Sequence, residues 1–125
     1  ISKTNKMKLF KSNDKNLSDG NQSRDFVYIK DLVDVIFFFY SNKVESGIFN
    51  VGSGVATTFN NLISFVFKFM NKKQSIEYID IPKEINQKYQ NYTKAEIKKL
   101  RSVGYIKKFT SIEFAVKDYI ENYLM

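Results

Sequence analysis

The sequence predicts an α/β fold, the closing part of a doubly wound sheet, and three observations carry that prediction. Short β-branched and aromatic runs alternate with helical apolar runs, as they do in units where helices cross between strands. Turn residues separate the runs: Asp19-Gly20-Asn21, Ser46-Gly47, Gly52-Ser53-Gly54 and Gly104. With 125 residues, 43% of them hydrophobic, the chain has the size and apolar content of one small domain, yet it holds fewer strands than such a sheet requires. The opening Ile-Ser-Lys-Thr-Asn-Lys starts without Met and lacks the marks of a signal or transit peptide, so the chain is expected to be a piece of a longer polypeptide.

Taken in order, Met7-Lys8-Leu9-Phe10 is a short extended segment, and residues 11–23 are polar and form a surface loop. Residues 25–29, Asp-Phe-Val-Tyr-Ile, alternate and read as a strand, after which Asp31 suits a helix N-cap. Residues 32–42 are apolar on nearly every side, the pattern of a helix sandwiched between layers. Ile48-Phe49-Asn50-Val51 reads as a short buried strand. The glycines at 52 and 54 allow a sharp exit into a helix capped near Thr57 or Thr58 that buries Phe59, Leu62, Ile63, Val66 and Met70. Residues 76–81 alternate strictly up to the only proline, Pro82, and predict a half-buried strand. Thr93-Lys94-Ala95-Glu96 has the form of a capping box opening a helix that Gly104 closes. Thr110-Ser111-Ile112-Glu113 opens the last helix, with Ile112, Ala115, Val116, Tyr119, Ile120 and Tyr123 on one face.

Composition removes several chemistries. The chain has no cysteine and no histidine, which excludes disulfides, thiolate or imidazole metal ligands and imidazole bases within it. The central apolar run, residues 35–40, is far shorter than the roughly 20 residues that cross a bilayer, so a soluble, cytoplasmic protein without a membrane partner is expected. A formal net charge of +7 raises nucleic-acid binding, but the lysines are scattered and arginine occurs only at positions 24 and 101, so no nucleic-acid partner is expected.

Two motifs bear on binding. Gly52-Ser53-Gly54 follows a strand and precedes a helix, yet it lacks the third glycine and the later acidic residue of a dinucleotide fingerprint, which favours a structural turn. Arg24 stands behind a polar loop at the start of a buried segment, where its planar fork can meet a diphosphate through paired charge-assisted bonds; a structural salt bridge is the competing role.

The run from Arg24 through Asp25-Phe26-Val27-Tyr28-Ile29-Lys30-Asp31 to Val35, followed by Ser46-Gly47-Ile48-Phe49-Asn50-Val51-Gly52-Ser53-Gly54, resembles the C-terminal signature of nucleotide-sugar epimerases and dehydratases of the extended short-chain dehydrogenase superfamily. Lys8-Leu9-Phe10, Ile76-Glu77-Tyr78-Ile79 and Lys88-Tyr89-Gln90-Asn91-Tyr92-Thr93-Lys94-Ala95-Glu96 are similar to the ADP-L-glycero-D-manno-heptose 6-epimerase family, and the likeness runs from about Lys8 to the end.

The resemblance implies the C-terminal portion of a Rossmann-type doubly wound sheet plus the small substrate-binding domain. Residues from about 7 to 58 would be the last strands and helix with the substrate loop, and residues from about 59 to 125 mainly substrate-domain elements. It implies substrate contacts from Phe10, Lys11, Ser12, Asn13, Arg24 and Tyr89. The family's glycine-rich cofactor loop, its Tyr-x-x-x-Lys pair and its further catalytic lysine lie upstream, so no catalytic or cofactor-binding residue is assigned here and the piece alone is expected to be inactive. For the intact protein it implies an ADP-sugar substrate, NADP with NAD as the alternative, inversion at C6 of the heptose, supply of a lipopolysaccharide precursor, and a homo-oligomer. Another nucleotide-sugar 4-epimerase or dehydratase, and a non-catalytic relic of an interrupted gene, stay open at this point.

Overall fold

Strand pairing in this molecule is split between two small sheets. In the computed structural model, which describes residues 4–124, β1 (Met7–Phe10) runs parallel to β4 (Ile76–Ile79), Met7 opposite Ile76 and Phe10 opposite Ile79. β2 (Ser23–Asp25) runs antiparallel to β3 (Ala56–Thr58), with Arg24 opposite Thr57. A single bridge between Ser23 and Tyr92 adds a third segment beside β2. The mixed α/β class is as expected, but the described residues form two two-stranded sheets and not one parallel sheet.

Helices bury the strands. Thr58 caps α2 (Phe59–Phe69), its hydroxyl accepting the Asn61 N–H at 3.1 Å, as its extended backbone and short oxygen allow. Ile63 and Phe67 of α2 close over Leu9 of β1 to make one core, with Met7, Val66 and Ile76 around it. Phe67 is the fully buried residue on that face, which the expected burial pattern had not included. α5 (Ile112–Tyr119) packs against α2; Ser111 caps it, and Ala115 and Val116, with Ile120 in the π-helical turn Ile120–Leu124, are buried. Tyr119 and Tyr123, expected on that buried face, instead stack on each other in the open.

A second core joins α1 (Ile29–Ser41) to α4 (Lys98–Ser102) through Val35, Leu100 and Tyr105. Asp31 is buried in the first turn of α1, where a carboxylate suits the helix dipole, and accepts the Thr110 N–H at 2.7 Å and hydroxyl at 2.8 Å. The start of α1 is also tied to α5, since Asp118 accepts from Lys30 at 2.6 Å and from the Tyr28 hydroxyl. Gly104 stops α4 at φ +98°, the left-handed conformation that the expected helix end requires. A short helix, α3 (Lys83–Asn86), follows Pro82. No helix among the described residues is long and apolar enough to cross a membrane.

Four local expectations are corrected by where hydrogen bonds go. Pairing covers 23–25 and not 25–29, because Asp25 turns its carboxylate into the glycine turn; Tyr28 occupies the N-cap position and Asp31 lies inside the helix. Residues 48–51 form no strand: no described strand pairs with them, Ile48 is 88% exposed, and the Ile48 carbonyl accepts from Lys99 Nζ at 2.8 Å. The capping box at 93–96 does not form because the Thr93 N–H is bonded to the Ser23 carbonyl and the Ala95 N–H to Asp25, so the helix starts at Lys98. α1 is covered on one face only among the described residues, and Ile29, Val33, Ile36, Phe37 and Tyr40 are exposed on the other.

An apolar stripe of this length on one helix is a self-association surface. The 125-residue chain alone is therefore expected to aggregate, and Ile36→Glu with Phe37→Lys to raise its monomeric fraction on size-exclusion chromatography without loss of helical circular dichroism. A monomeric wild-type preparation with a cooperative thermal transition is the contrary result.

Candidate functional site

Three of the residues singled out from the sequence meet although they lie far apart in the chain. Phe10 ends β1, Arg24 is the middle residue of β2, and Tyr89 lies in the loop after α3. The Tyr89 ring meets Phe10 edge-on, centroids 5.7 Å apart at 85°. The Arg24 guanidinium lies 5.3 Å from the Tyr89 centroid and 5.8 Å from that of Phe59. Among the described residues it makes no ion pair; its one hydrogen bond runs from Nη1 to the Ser23 carbonyl at 2.8 Å. The competing role of Arg24 as half of a salt bridge is thus not what the structure shows. A guanidinium has five N–H donors, and this one keeps most of its fork uncommitted beside two aromatic faces.

Phe10, Phe59 and Tyr89 also line an open, mainly apolar cavity of about 300 Å³ between β1 and α2. Gln22, 1% exposed, closes its wall: the side-chain amide donates to the Lys11 carbonyl at 2.9 Å, and the Gln22 carbonyl accepts the Phe59 N–H at 3.0 Å. Gly20 is required beside it, because φ is +73° and a Cβ there would stand 2.2 Å from Asn60 Oδ1.

The other three expected contacts have protein partners. Lys11 continues the β1–β4 ladder through its N–H to Ile79, and its ammonium pairs with Asp80 at 3.0 Å; that hydrogen bond raises its pKa. Ser12 donates its N–H to Asp19 Oδ1 at 2.7 Å and its hydroxyl to the Asp14 carbonyl. Asn13 donates to the side chain and carbonyl of Asn86 and accepts from Asn91 Nδ2 at 2.9 Å. Asn13 thereby fastens the loop after β1 to the loop that carries Tyr89, whereas Lys11 and Ser12 are engaged at Asp80 and Asp19.

Arg24 is held in register by its neighbour. Asp25 accepts the Ser53 N–H at 2.7 Å and hydroxyl at 2.6 Å, the Gly54 N–H at 2.9 Å and the Ala95 N–H at 3.0 Å. Burial pushes the Asp25 carboxyl up, but the bonds from Ser53, Ala95 and Gly54 outweigh it and leave the group below the usual carboxylate range. Gly52 must lack a side chain, since a Cβ would lie 2.5 Å from that of Ala95 and 2.7 Å from Asp25 Oδ2. The amides of Ser53 and Gly54 are committed to Asp25, so the glycine turn is structural and offers those donors to no phosphate.

Sequence reasoning missed Phe59 and Gln22 as parts of this site. Phe59 had been counted with the apolar helix face, but as the first residue after the Thr58 cap it points its ring toward Arg24 as well as toward the core. Gln22 stands two residues before Arg24 in extended chain, and that period-two spacing was a usable signal.

Residues 2–52 match the NAD dependent epimerase/dehydratase family. The chain is 43% identical over 118 residues to the ADP-L-glycero-D-manno-heptose-6-epimerase of Nitratidesulfovibrio vulgaris strain DP4, and 42% identical over 124 residues to that of Fusobacterium nucleatum subsp. nucleatum. Each alignment takes in 94% of this chain. Nearly the whole chain is homologous to part of an ADP-heptose-6-epimerase. It spans about a third of the length of these relatives, 36% and 37% respectively. The crystal structure of the Helicobacter pylori ADP-heptose-6-epimerase superposes with a TM-score of 0.76 at 25% identity, covering 96% of this chain and 33% of that one. The two small sheets and their helices therefore match part of the fold of that epimerase.

Because the folded-state pKa of Asp25 is lowered, its contribution to stability is present above the ordinary carboxylate range and is lost as the pH falls through the folded value. Asp25→Asn turns an amide N–H₂ toward backbone donors and is expected to cost about 1.5–3 kcal/mol at neutral pH by urea denaturation, in the Ile36→Glu/Phe37→Lys background. The stability gap between the protein with Asp25 intact and the Asp25→Asn variant should narrow as the pH falls below about 4. A pH-independent gap is the contrary result.

Proposed function

We propose that this chain is the sugar-nucleotide-holding part of an ADP-heptose 6-epimerase, and the observation that carries the proposal is the Arg24 guanidinium, without a carboxylate partner among the described residues, set against Phe59 and Tyr89. A diphosphate has the charge and the oxygen spacing that a guanidinium fork matches with two parallel bonds. Phe10 and Tyr89 supply packing surface and Tyr89 a phenol for a directed hydrogen bond, while Lys11, Ser12 and Asn13, engaged with protein partners, hold the shape of the loop after β1. The identity of 42–43% to ADP-heptose-6-epimerases supports the heptose as the sugar.

In the intact enzyme the reaction is inversion at C6 of ADP-D-glycero-D-manno-heptose. A nicotinamide cofactor, NADP in this reading, supplies the hydride chemistry when bound, held mainly by polypeptide outside these residues. What this chain's residues do is bind and orient: they fix the diphosphate, and so hold the heptose in one pose relative to the reacting centre. Residues from about 7 to 58 serve as the closing elements of the cofactor fold with the substrate loop, and those from about 59 onward mainly as substrate-domain elements. The enzyme acts in the cytoplasm as a homo-oligomer and supplies a precursor of the lipopolysaccharide inner core.

The test is calorimetry of ADP-sugar binding to the protein rebuilt with its upstream reading frame. Wild type is expected to bind ADP-heptose in preference to UDP-sugars, and Arg24→Ala to lose about 1.5–3 kcal/mol, the worth of a charged hydrogen bond. Unchanged binding in Arg24→Ala overturns the role of Arg24, and a preference for UDP-sugars overturns the heptose.

A further inference from the structure

We infer that Phe59 is a positioning residue of this site: with Tyr89 it forms a two-ring seat that fixes the plane of the Arg24 guanidinium. The inference rests on the sugar-nucleotide reading of Arg24 and assigns a role to a side chain that does not itself need to touch the ligand.

Among the described residues Arg24 has no carboxylate partner and one hydrogen bond, at 2.8 Å to the Ser23 carbonyl, to settle its four side-chain torsions. The two ring faces supply the remaining restraint. A cation within about 6 Å of an aromatic centroid is attracted by the ring quadrupole, and the guanidinium meets that condition at both Phe59, 5.8 Å, and Tyr89, 5.3 Å. Rings satisfy a guanidinium's face while leaving its in-plane N–H groups unspent, which a carboxylate partner would not do. A fork held in this way reaches an anion without first losing conformational freedom.

Both rings are themselves fixed. Phe59 is the first residue of α2, directly after the Thr58 cap, and its N–H is bonded to the Gln22 carbonyl at 3.0 Å. Its ring meets Phe26 edge-on, centroids 5.6 Å apart at 83°. Tyr89 is steadied by Phe10, edge-on at 5.7 Å. Phe59 is only partly buried, and its ring divides its contacts between the Leu9–Ile63–Phe67 core and Arg24. Core filling alone needs apolar volume, whereas seating a cation needs a π face.

That difference is testable in the rebuilt full-length protein with ADP as the probe. Phe59→Leu keeps apolar volume and removes the ring, and Phe59→Tyr keeps the ring. Expected are a loss of ADP affinity of about 3- to 10-fold for Phe59→Leu, near wild-type affinity for Phe59→Tyr, and no further loss when Phe59→Leu is added to Arg24→Ala. If Arg24→Ala weakens ADP binding but Phe59→Leu does not, or Phe59→Leu costs as much in the Arg24→Ala background, the seat is refuted while the role of Arg24 stands. If Arg24→Ala has no effect on ADP, the sugar-nucleotide reading falls and the seat falls with it.

Discussion

A half-buried carboxylate must find donors for both oxygens, and Asp25 finds four of them on two segments remote from its own strand. Ser53 and Gly54 come from the glycine turn that leads into β3 and α2; Ala95 comes from the stretch that leads into α4. Through this one side chain the edge of β2, the entry to α2 and the approach to α4 share a fixed point. Arg24 is its immediate neighbour, and the Ser23–Tyr92 bridge on the other side brings in the loop that carries Tyr89. The geometry of the arginine and its two rings is therefore inherited from where Asp25 is anchored. It also explains why position 52 has no room for a side chain.

Features set by a few adjacent residues could be read from the sequence. β1, the Thr58 cap and the stop at Gly104 follow from an extended run, a short side-chain oxygen and a left-handed φ, and each formed where the residues indicated. The last helix is capped one residue later than its box, at Ser111, because Asp31 takes the Thr110 N–H and hydroxyl. Features decided by a distant competitor could not. Thr93 to Glu96 has the spacing of a capping box, but Ser23 and Asp25 take two of its amides first. Residues 48–51 have strand composition, yet a strand exists only where another strand answers its hydrogen bonds. The site divided along the same line. Arg24, Phe10 and Tyr89 were legible through family resemblance, while Phe59 looked like an ordinary core residue because periodicity reports burial and is silent on what a partly buried ring faces.

The two cores differ in completeness. Around Leu9, Ile63 and Phe67 a strand pair is covered by α2, and α2 by α5, so that region is closed by this chain's own elements. Around Val35, Leu100 and Tyr105 only one face of α1 is covered. The cavity lined by Phe10, Phe59 and Tyr89 sits at the closed region, between β1 and α2, and Arg24 lies against two of its rings.

The loop after β1 and the segment around Tyr89 are joined by amides: Asn13 to Asn86, and Asn91 to Asn13. Amide groups do not titrate and carry no net charge, so neither acidity nor ionic strength acts directly on that junction. The Arg24 guanidinium, by contrast, attracts an anion through a field that dissolved salt screens. Dissolved salt thus weakens that attraction without acting directly on the amide junction.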